Sequence, residues 1–194
     1  IKFKYPYFHR TKMLNEMTKD AKTKFVVNYD CDVFVSPFQI ADAVKMLREG
    51  YDIVYPYDGD YVHIVRDYGL NTLKKSLDIG TLCYEGHKVT KDSKGGIVMY
   101  KKESFLNAGG ENENFVSHGA EDAERFVRFT KLGLLVARTS GRLVHLEHWR
   151  GPNSNSGGHS YSGQNRNEWD KVSKMSQVEL LKYVDTWKWS VRNG

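Results

Sequence analysis

The chain has 194 residues, 40% hydrophobic and 27% charged, which is ordinary for a globular protein and long enough for one domain with a core. It contains no run of about 18 apolar residues and no visible signal peptide. Its two cysteines, Cys31 and Cys83, exclude a disulfide framework or a Cys-rich zinc site and lean toward a reducing compartment. Net charge is +5, which suits anionic partners such as nucleotides, acidic glycans, nucleic acid or a lipid surface, although a mildly basic solvated surface explains it equally well.

The chain opens on IKFKYPYFHR with no initiator Met. Met13, Leu14, Met17 and Ala21 predict a helix over about 8–22 with an apolar face. KFVVNY, 24–29, reads as a buried strand whose exit carries Asp30 and Asp32. Ser36-Pro37-Phe38-Gln39 is a capping box with Pro at the first helical position, and Ile40, Ala43, Val44 and Leu47 continue as a helical stripe to a Gly50 stop. YDIVYPY is the next strand. Residues 58–95 are polar and glycine-dotted, which predicts weak, mobile structure with a short apolar pattern around Leu70–Leu77.

GGIVMYKKESFLNAGG predicts a strand, a turn, a short helix and a glycine stop. AEDAERFVRFTKLG predicts a helix with Phe126, Val127 and Phe129 among its apolar residues and Gly133 as its stop. LLVARTS and RLVHLEH read as short strands, and GPNSNSGGHSYSGQN as a long loop. SQVELLKYVDTWKW predicts a last amphipathic helix opened by a capping box from Ser176 to Glu179. Alternating strands and helices imply an α/β fold, in which ligands bind beyond the carboxyl ends of strands.

Three features carry chemistry. Asp-x-Asp at a strand exit offers two hard oxygen donors suited to Mg²⁺ or Mn²⁺, which in turn hold phosphates, although aspartates in turns are common. Glu121-Asp122 opens a helix beside Gly119. Acids at a helix N-terminus are favoured by the dipole, and a general base on a rigid element would look the same. His145 and His148, three apart around Leu146-Glu147, add imidazoles that would complete a borderline-hard site.

In order, FHRTKMLN, FVVNYDCDV, GGIVMYKKESFLNAGGENENF, GAEDAERFVRFTKLG and VHLEHWRG resemble the inverting, metal-dependent GT-A glycosyltransferases. The likeness is to β-1,4-galactosyltransferases and bacterial polysaccharide polymerases, and it covers about residues 8–150. It implies a Rossmann-like mixed sheet flanked by helices in a single domain over 1–194, without the N-terminal strand or strands that grip uracil. Asp30-Cys31-Asp32 matches the family's Asp-x-Asp, with Asp32 on the metal and Asp30 on the nucleotide sugar.

By the same resemblance Asp122 is the catalytic base and Glu121 helps bind the acceptor. His148 is the histidine ligand, and His145 stands where some members use a methionine ligand. Gly95 and Gly96 let the chain run close to the donor sugar. A Trp-Gly-Trp-Gly-Gly run in the family is VSHGA here, which puts His118 at the position of an acceptor-stacking Trp.

The implied reaction moves a hexose or N-acetylhexosamine from a nucleoside diphosphate sugar, UDP-linked, to a glycan or glycolipid acceptor with inversion, in polysaccharide or glycoconjugate synthesis. The cofactor is Mn²⁺ or Mg²⁺. Nucleic acid is not an expected partner, and peripheral membrane association is. Segments 58–95 and 150–166 are expected to close over the donor. A retaining transferase of this fold, a metal-dependent phosphohydrolase or nuclease, and a non-catalytic glycan-binding protein are the rival readings.

Overall fold

The structure is a computed structural model and describes residues 7–76, 79–84, 87–149 and 159–191. In chain order the elements are α1 (Arg10–Asp20), β1 (Phe25–Tyr29), β2 (Val33–Phe34), α2 (Pro37–Glu49), β3 (Ile53–Tyr55), β4 (Tyr61–Val65), α3 (Arg66–Ser76), α4 (Ile79–Tyr84), β5 (Lys88–Thr90), β6 (Ile97–Lys101), α5 (Lys102–Asn107), α6 (Glu121–Lys131), β7 (Val136–Arg138), β8 (Leu143–Glu147), α7 (Ser162–Lys174) and α8 (Gln177–Asp185). The mixed α/β class is as the alternation implies. The chain forms two compact units, one from Phe25–Lys101 with Leu135–Trp149, the other from Ile1–Lys24, Lys102–Leu134 and Arg150–Gly194.

The first of these units holds every strand among the described residues, in two four-stranded mixed sheets ordered β1-β6-β3-β7 and β2-β8-β4-β5. In the former, β6 runs antiparallel to both β1 and β3, and β3 runs parallel to β7. Helix α2 forms as its capping box dictates: Gln39 returns a side-chain oxygen to the Ser36 N–H at 2.9 Å, and the chain leaves the helix at Gly50 with φ +124°. Its Ala43 and Leu47 pack with Val54 and Met99, and Phe25, Ile40, Val44 and Met46 complete that cluster.

Two expectations fail in this unit. Strand β1 is not buried: among the described residues it is an edge strand with one neighbour, and Val27 and Tyr29 are 42% and 45% exposed. The described residues of 58–95 are not weakly structured, because β4 is an inner strand of its sheet. Val62 and Ile64 are fully buried and pack with Leu73, Leu82, Val144 and Leu146. Leu77 lies outside the described residues.

The other unit is helical among the described residues, and its helices bury polar faces. The inward residues of α1 are Thr11, Asn15 and Thr18, whereas Met17 is 53% exposed, so the apolar face expected of this helix is not the buried one. Asn15 does the work of a missing strand partner: its Oδ1 accepts from the Glu111 N–H at 2.7 Å and its Nδ2 donates to the Glu111 carbonyl at 2.9 Å. Thr11 Oγ1 donates to the Phe115 carbonyl at 2.9 Å. On the other side, Asn165 of α7 accepts from the Val116 N–H and donates to the Val116 and His118 carbonyls. The irregular segment between α5 and α6 is thus satisfied by side-chain amides, which is what allows it to be buried.

Helix α6 buries Glu121, Glu124, Arg125, Arg128 and Phe129, while Phe126 and Val127 are only half-buried. Arg128 donates to Glu124 Oε1 at 2.7 Å and to the Ala108 and Gly110 carbonyls, with its guanidinium over the rings of Phe129 and Trp187 at 4.6 and 5.0 Å. Gly109 and Gly110 take φ of +93° and +68° and give α5 its expected glycine stop.

Helix α7 was not foreseen, since SGQNRNEWDKVSK has no apolar stripe and holds its place with Asn165, Glu168 and Val172. The expected loop and mobile segment here fall partly on 150–158, outside the described residues; 162–166 are helix. Helix α8 starts at its capping box as expected and ends at Asp185.

The Glu124–Arg128 pair is buried to 1% and 0% exposure. Removing one member strands the other as an uncompensated charge. Glu124→Ala should therefore cost about 3–5 kcal/mol in denaturant unfolding, against under about 1 kcal/mol for an exposed pair such as Lys45–Glu49.

Candidate functional site

Strands β4 and β8 carry similar sequences, YVHIV and LVHLE, and pair in parallel with His63 beside His145. Alternation sends Val62, Ile64, Val144 and Leu146 into the apolar cluster on one face. Tyr61, His63, His145 and Glu147 take the opposite face, where the Tyr61 ring lies 5.1 Å from His63 and 5.2 Å from His145. His145 is thus inside the strand read from RLVHLEH and 3% exposed.

Strand β2 joins the other edge of β8, and the Leu146 N–H donates to the Asp32 carbonyl at 2.9 Å. That bond carries the Asp32 carboxylate to the histidines. Asp32 Oδ2 lies 2.9 Å from His148 Nε2 and 3.6 Å from His145 Nε2. The three form a group able to hold a metal ion. His148 Nδ1 sits 2.8 Å from the Trp149 carbonyl, which can only accept, so Nδ1 carries the hydrogen and the Nε2 lone pair is available to a cation. One carboxylate and two imidazoles make a borderline-hard set, and it fits Mn²⁺ better than Mg²⁺.

Asp30 stands beside this group without entering it. Its N–H donates to the Gly96 carbonyl at 2.8 Å, and its carbonyl accepts from the Val33 N–H at 3.3 Å, closing the turn that presents Asp32. Gly96 has φ +85°, and a Cβ there would meet Leu143 at 2.9 Å, so glycine is required by the fold itself. The Gly95 carbonyl accepts from the Tyr57 hydroxyl at 2.7 Å.

Glu121, Asp122 and His118 gather in the helical unit. Ala120 is the N-cap of α6 and provides no side-chain cap. Glu121 reaches back instead, accepting from the Gly119 N–H at 2.8 Å, with His118 Nδ1 at 4.0 Å and Arg10 Nη1 at 3.8 Å. Asp122 accepts from Arg125 Nη2 at 2.8 Å and Arg10 Nη1 at 3.4 Å, and Arg125 is held in turn by Glu111 at 2.8 Å. Ser117, just before the site, has φ +64°, a conformation rare outside glycine.

Two neighbouring carboxyls are thereby driven apart. Burial, and then the charge of Asp122, push Glu121 up to about 8. Burial also acts to raise Asp122, but the guanidiniums of Arg10 and Arg125 outweigh it and hold Asp122 below its ordinary value. Glu121 is thereby biased toward its acid form and Asp122 toward its carboxylate, a division of labour that suits proton transfer.

Sequence reasoning missed Arg10, Arg125, Glu111, His63 and Glu147. Two signals were available. Arg125 is one helical turn after Asp122, and the Val-His pair of YVHIV recurs in LVHLE.

The model of a family described as the N-terminal domain of galactosyltransferase matches residues 85–150, a stretch that includes Gly95, Gly96, His118, Glu121, Asp122, His145 and His148. Over that stretch the chain is galactosyltransferase-like, as its motifs imply.

Among the solved structures similar to the chain are three glycosyltransferase complexes. One is the catalytic domain of Drosophila β1,4-galactosyltransferase 7 in complex with xylobiose, at 19% identity, covering 73% of this chain and 52% of that one, with a TM-score of 0.43. A mutant of that enzyme with manganese, UDP-Gal and xylobiose gives 18% identity, the same coverages and a TM-score of 0.43. A mannosyltransferase from Pyrobaculum calidifontis with GDP-Man and Mn²⁺ gives 14% identity, coverages of 90% and 48%, and a TM-score of 0.44. The chain spans about half the length of these proteins. No curated protein sequence matches it.

Glu121 sets a pH dependence of stability. Its value rises from 4.5 unfolded to about 8 folded, so across that interval the folded state binds a proton that the unfolded chain has released. The group's contribution to stability therefore falls as pH rises from about 5 to about 8. Glu121→Gln should remove that slope, so its melting temperature should gain on the wild type between pH 5 and pH 8. A constant difference across those pH values would contradict the assignment.

Proposed function

We propose that the chain is the metal-dependent part of a GT-A glycosyltransferase that moves a hexose or N-acetylhexosamine from a UDP-linked sugar to a glycan acceptor with inversion. The observation that carries this reading is the meeting of Asp32, His145 and His148 beside the turn made by Asp30 and Gly96. The family match over 85–150 supports it. Asp32, His145 and His148 would hold Mn²⁺, which would supply positive charge to neutralise the departing diphosphate. Asp30 lies on the donor side of that group.

Asp122 takes the proton of the attacking acceptor hydroxyl. Held ionised by Arg10 and Arg125, it is ready to accept at neutral pH. Glu121, protonated, donates a hydrogen bond to the acceptor, and His118 lines the same place. The acceptor is a glycan, and the place of the reaction is polysaccharide or glycoconjugate synthesis. The first donors and acceptor to try are UDP-galactose, GDP-mannose and xylobiose, the ligands in the three similar structures.

Asp32→Ala should abolish Mn²⁺-dependent binding of UDP while leaving the melting temperature of the free protein near wild type. Unchanged Mn²⁺-dependent binding would overturn the metal assignment.

Base catalysis is worth about 10²–10⁴-fold, so Asp122→Asn should lose that factor in transfer at unchanged UDP affinity. Full activity in a folded Asn variant would remove Asp122 from the chemistry. It would turn the reading toward a retaining transferase.

A further inference from the structure

The polar face of the β8–β4 sheet holds a second ligand group that shares only His145 with the first. His63 Nδ1 is hydrogen-bonded to Glu147 Oε1, and the same oxygen lies 3.4 Å from His145 Nδ1. His63, His145 and Glu147 offer one ligand atom each, all within 4.8 Å of one another.

The group is built on strands, not on loops. The pairing of His63 with His145 fixes two imidazoles side by side, and Glu147, two residues on along β8, falls on the same face. His63 is further anchored by Thr90 Oγ1, 2.8 Å from its Nε2. The two imidazoles are 17% and 3% exposed, whereas Glu147 is 41% exposed, so the carboxylate side is open to entry from solvent.

We propose that His63, His145 and Glu147 form a second cation site, distinct from Asp32–His148 and selective for Zn²⁺ over Mg²⁺. Two imidazoles and one carboxylate are a protein donor set that zinc accepts, with a fourth position left for water, whereas Mg²⁺ prefers oxygen donors throughout. In binding, the cation replaces the hydrogen now shared between His63 and Glu147.

His145 faces both groups, presenting Nε2 to Asp32 and Nδ1 to Glu147. A neutral imidazole has one lone pair, so His145 ligates one cation at a time. Zinc at the second site therefore takes His145 from the first and leaves Asp32 and His148 to hold the other ion without it.

The test isolates the second site by disabling the first. Zn²⁺ and Co²⁺ are titrated into Asp32→Ala and into the double variant Asp32→Ala/His63→Ala, followed by calorimetry and by the visible spectrum of bound Co²⁺. Asp32→Ala should still bind Zn²⁺ at one per chain, and adding His63→Ala should weaken that binding by at least about tenfold, the least that even an outer-shell partner's loss costs. Equal Zn²⁺ affinity in the two variants, or no Zn²⁺ binding in Asp32→Ala, would overturn the second site. If His63→Ala alone weakens Mn²⁺ binding as much as Zn²⁺ binding, His63 only positions His145, and the second site is likewise refuted. His63→Gln serves as the second variant where the Ala form does not fold. Failure of the transferase reading is read separately, from Mn²⁺-dependent UDP binding in Asp32→Ala.

Discussion

A buried N–H or C=O must find a partner, and in this chain that requirement shapes both candidate sites. The segment from Gly109 to Ala120 is irregular yet largely buried, so it has no ladder or helix to satisfy it. Asn15 pairs with both backbone groups of Glu111, Asn165 with both of Val116, Thr11 with Phe115, and Arg128 with Ala108 and Gly110. These bonds decide where α6 begins and hold Gly119 in reach of Glu121. In the sheet unit a single backbone bond, from Leu146 to the Asp32 carbonyl, does the equivalent work for the metal-ligand group.

Charge burial follows from the same arrangement. The inward face of α6 is occupied by Glu121, Glu124, Arg125 and Arg128, so each charge must be matched locally. Arg128 with Glu124, and Arg125 with Glu111 and Asp122, are matched by short contacts. Glu121 has the weaker share, with Arg10 at 3.8 Å and Asp122 next to it, and it keeps its proton instead. An acid and a carboxylate side by side on rigid helix are therefore a consequence of how the guanidiniums are distributed. Elements fixed in this way hold their geometry in advance, which is what proton transfer to or from a bound ligand needs.

The sheet with β8 at its heart shows how a strand's period becomes chemistry. Parallel pairing in register puts four aliphatic side chains of β4 and β8 on the core face and two histidines together on the other. A slip of one residue in either strand would turn its histidine into the core, so the apolar cluster itself enforces the site. The histidines are held to their face by hydrophobic burial on the opposite one.

What the amino-acid sequence determined by itself was what short-range chemistry controls. The capping boxes at Ser36 and Ser176, the stops at Gly50 and after Asn107, and the strands at 25–29, 97–101 and 143–147 follow from residues a few positions apart. The motifs of Asp32, Glu121-Asp122 and His145–His148 were equally legible, because each lies within a few residues. The tertiary structure alone decided which face of a helix is buried. Apolar periodicity pointed to Met13, Leu14 and Met17, yet α1 turns inward Thr11, Asn15 and Thr18, because what it packs against is unsatisfied backbone and not an apolar surface. It alone made β4 an inner strand, since that depends on pairing with residues about 80 positions away. For the same reason it alone brought His63 to His145 and Arg10 to Asp122: partners so distant in sequence leave no local period, and only the closed fold puts their charges within reach of one another.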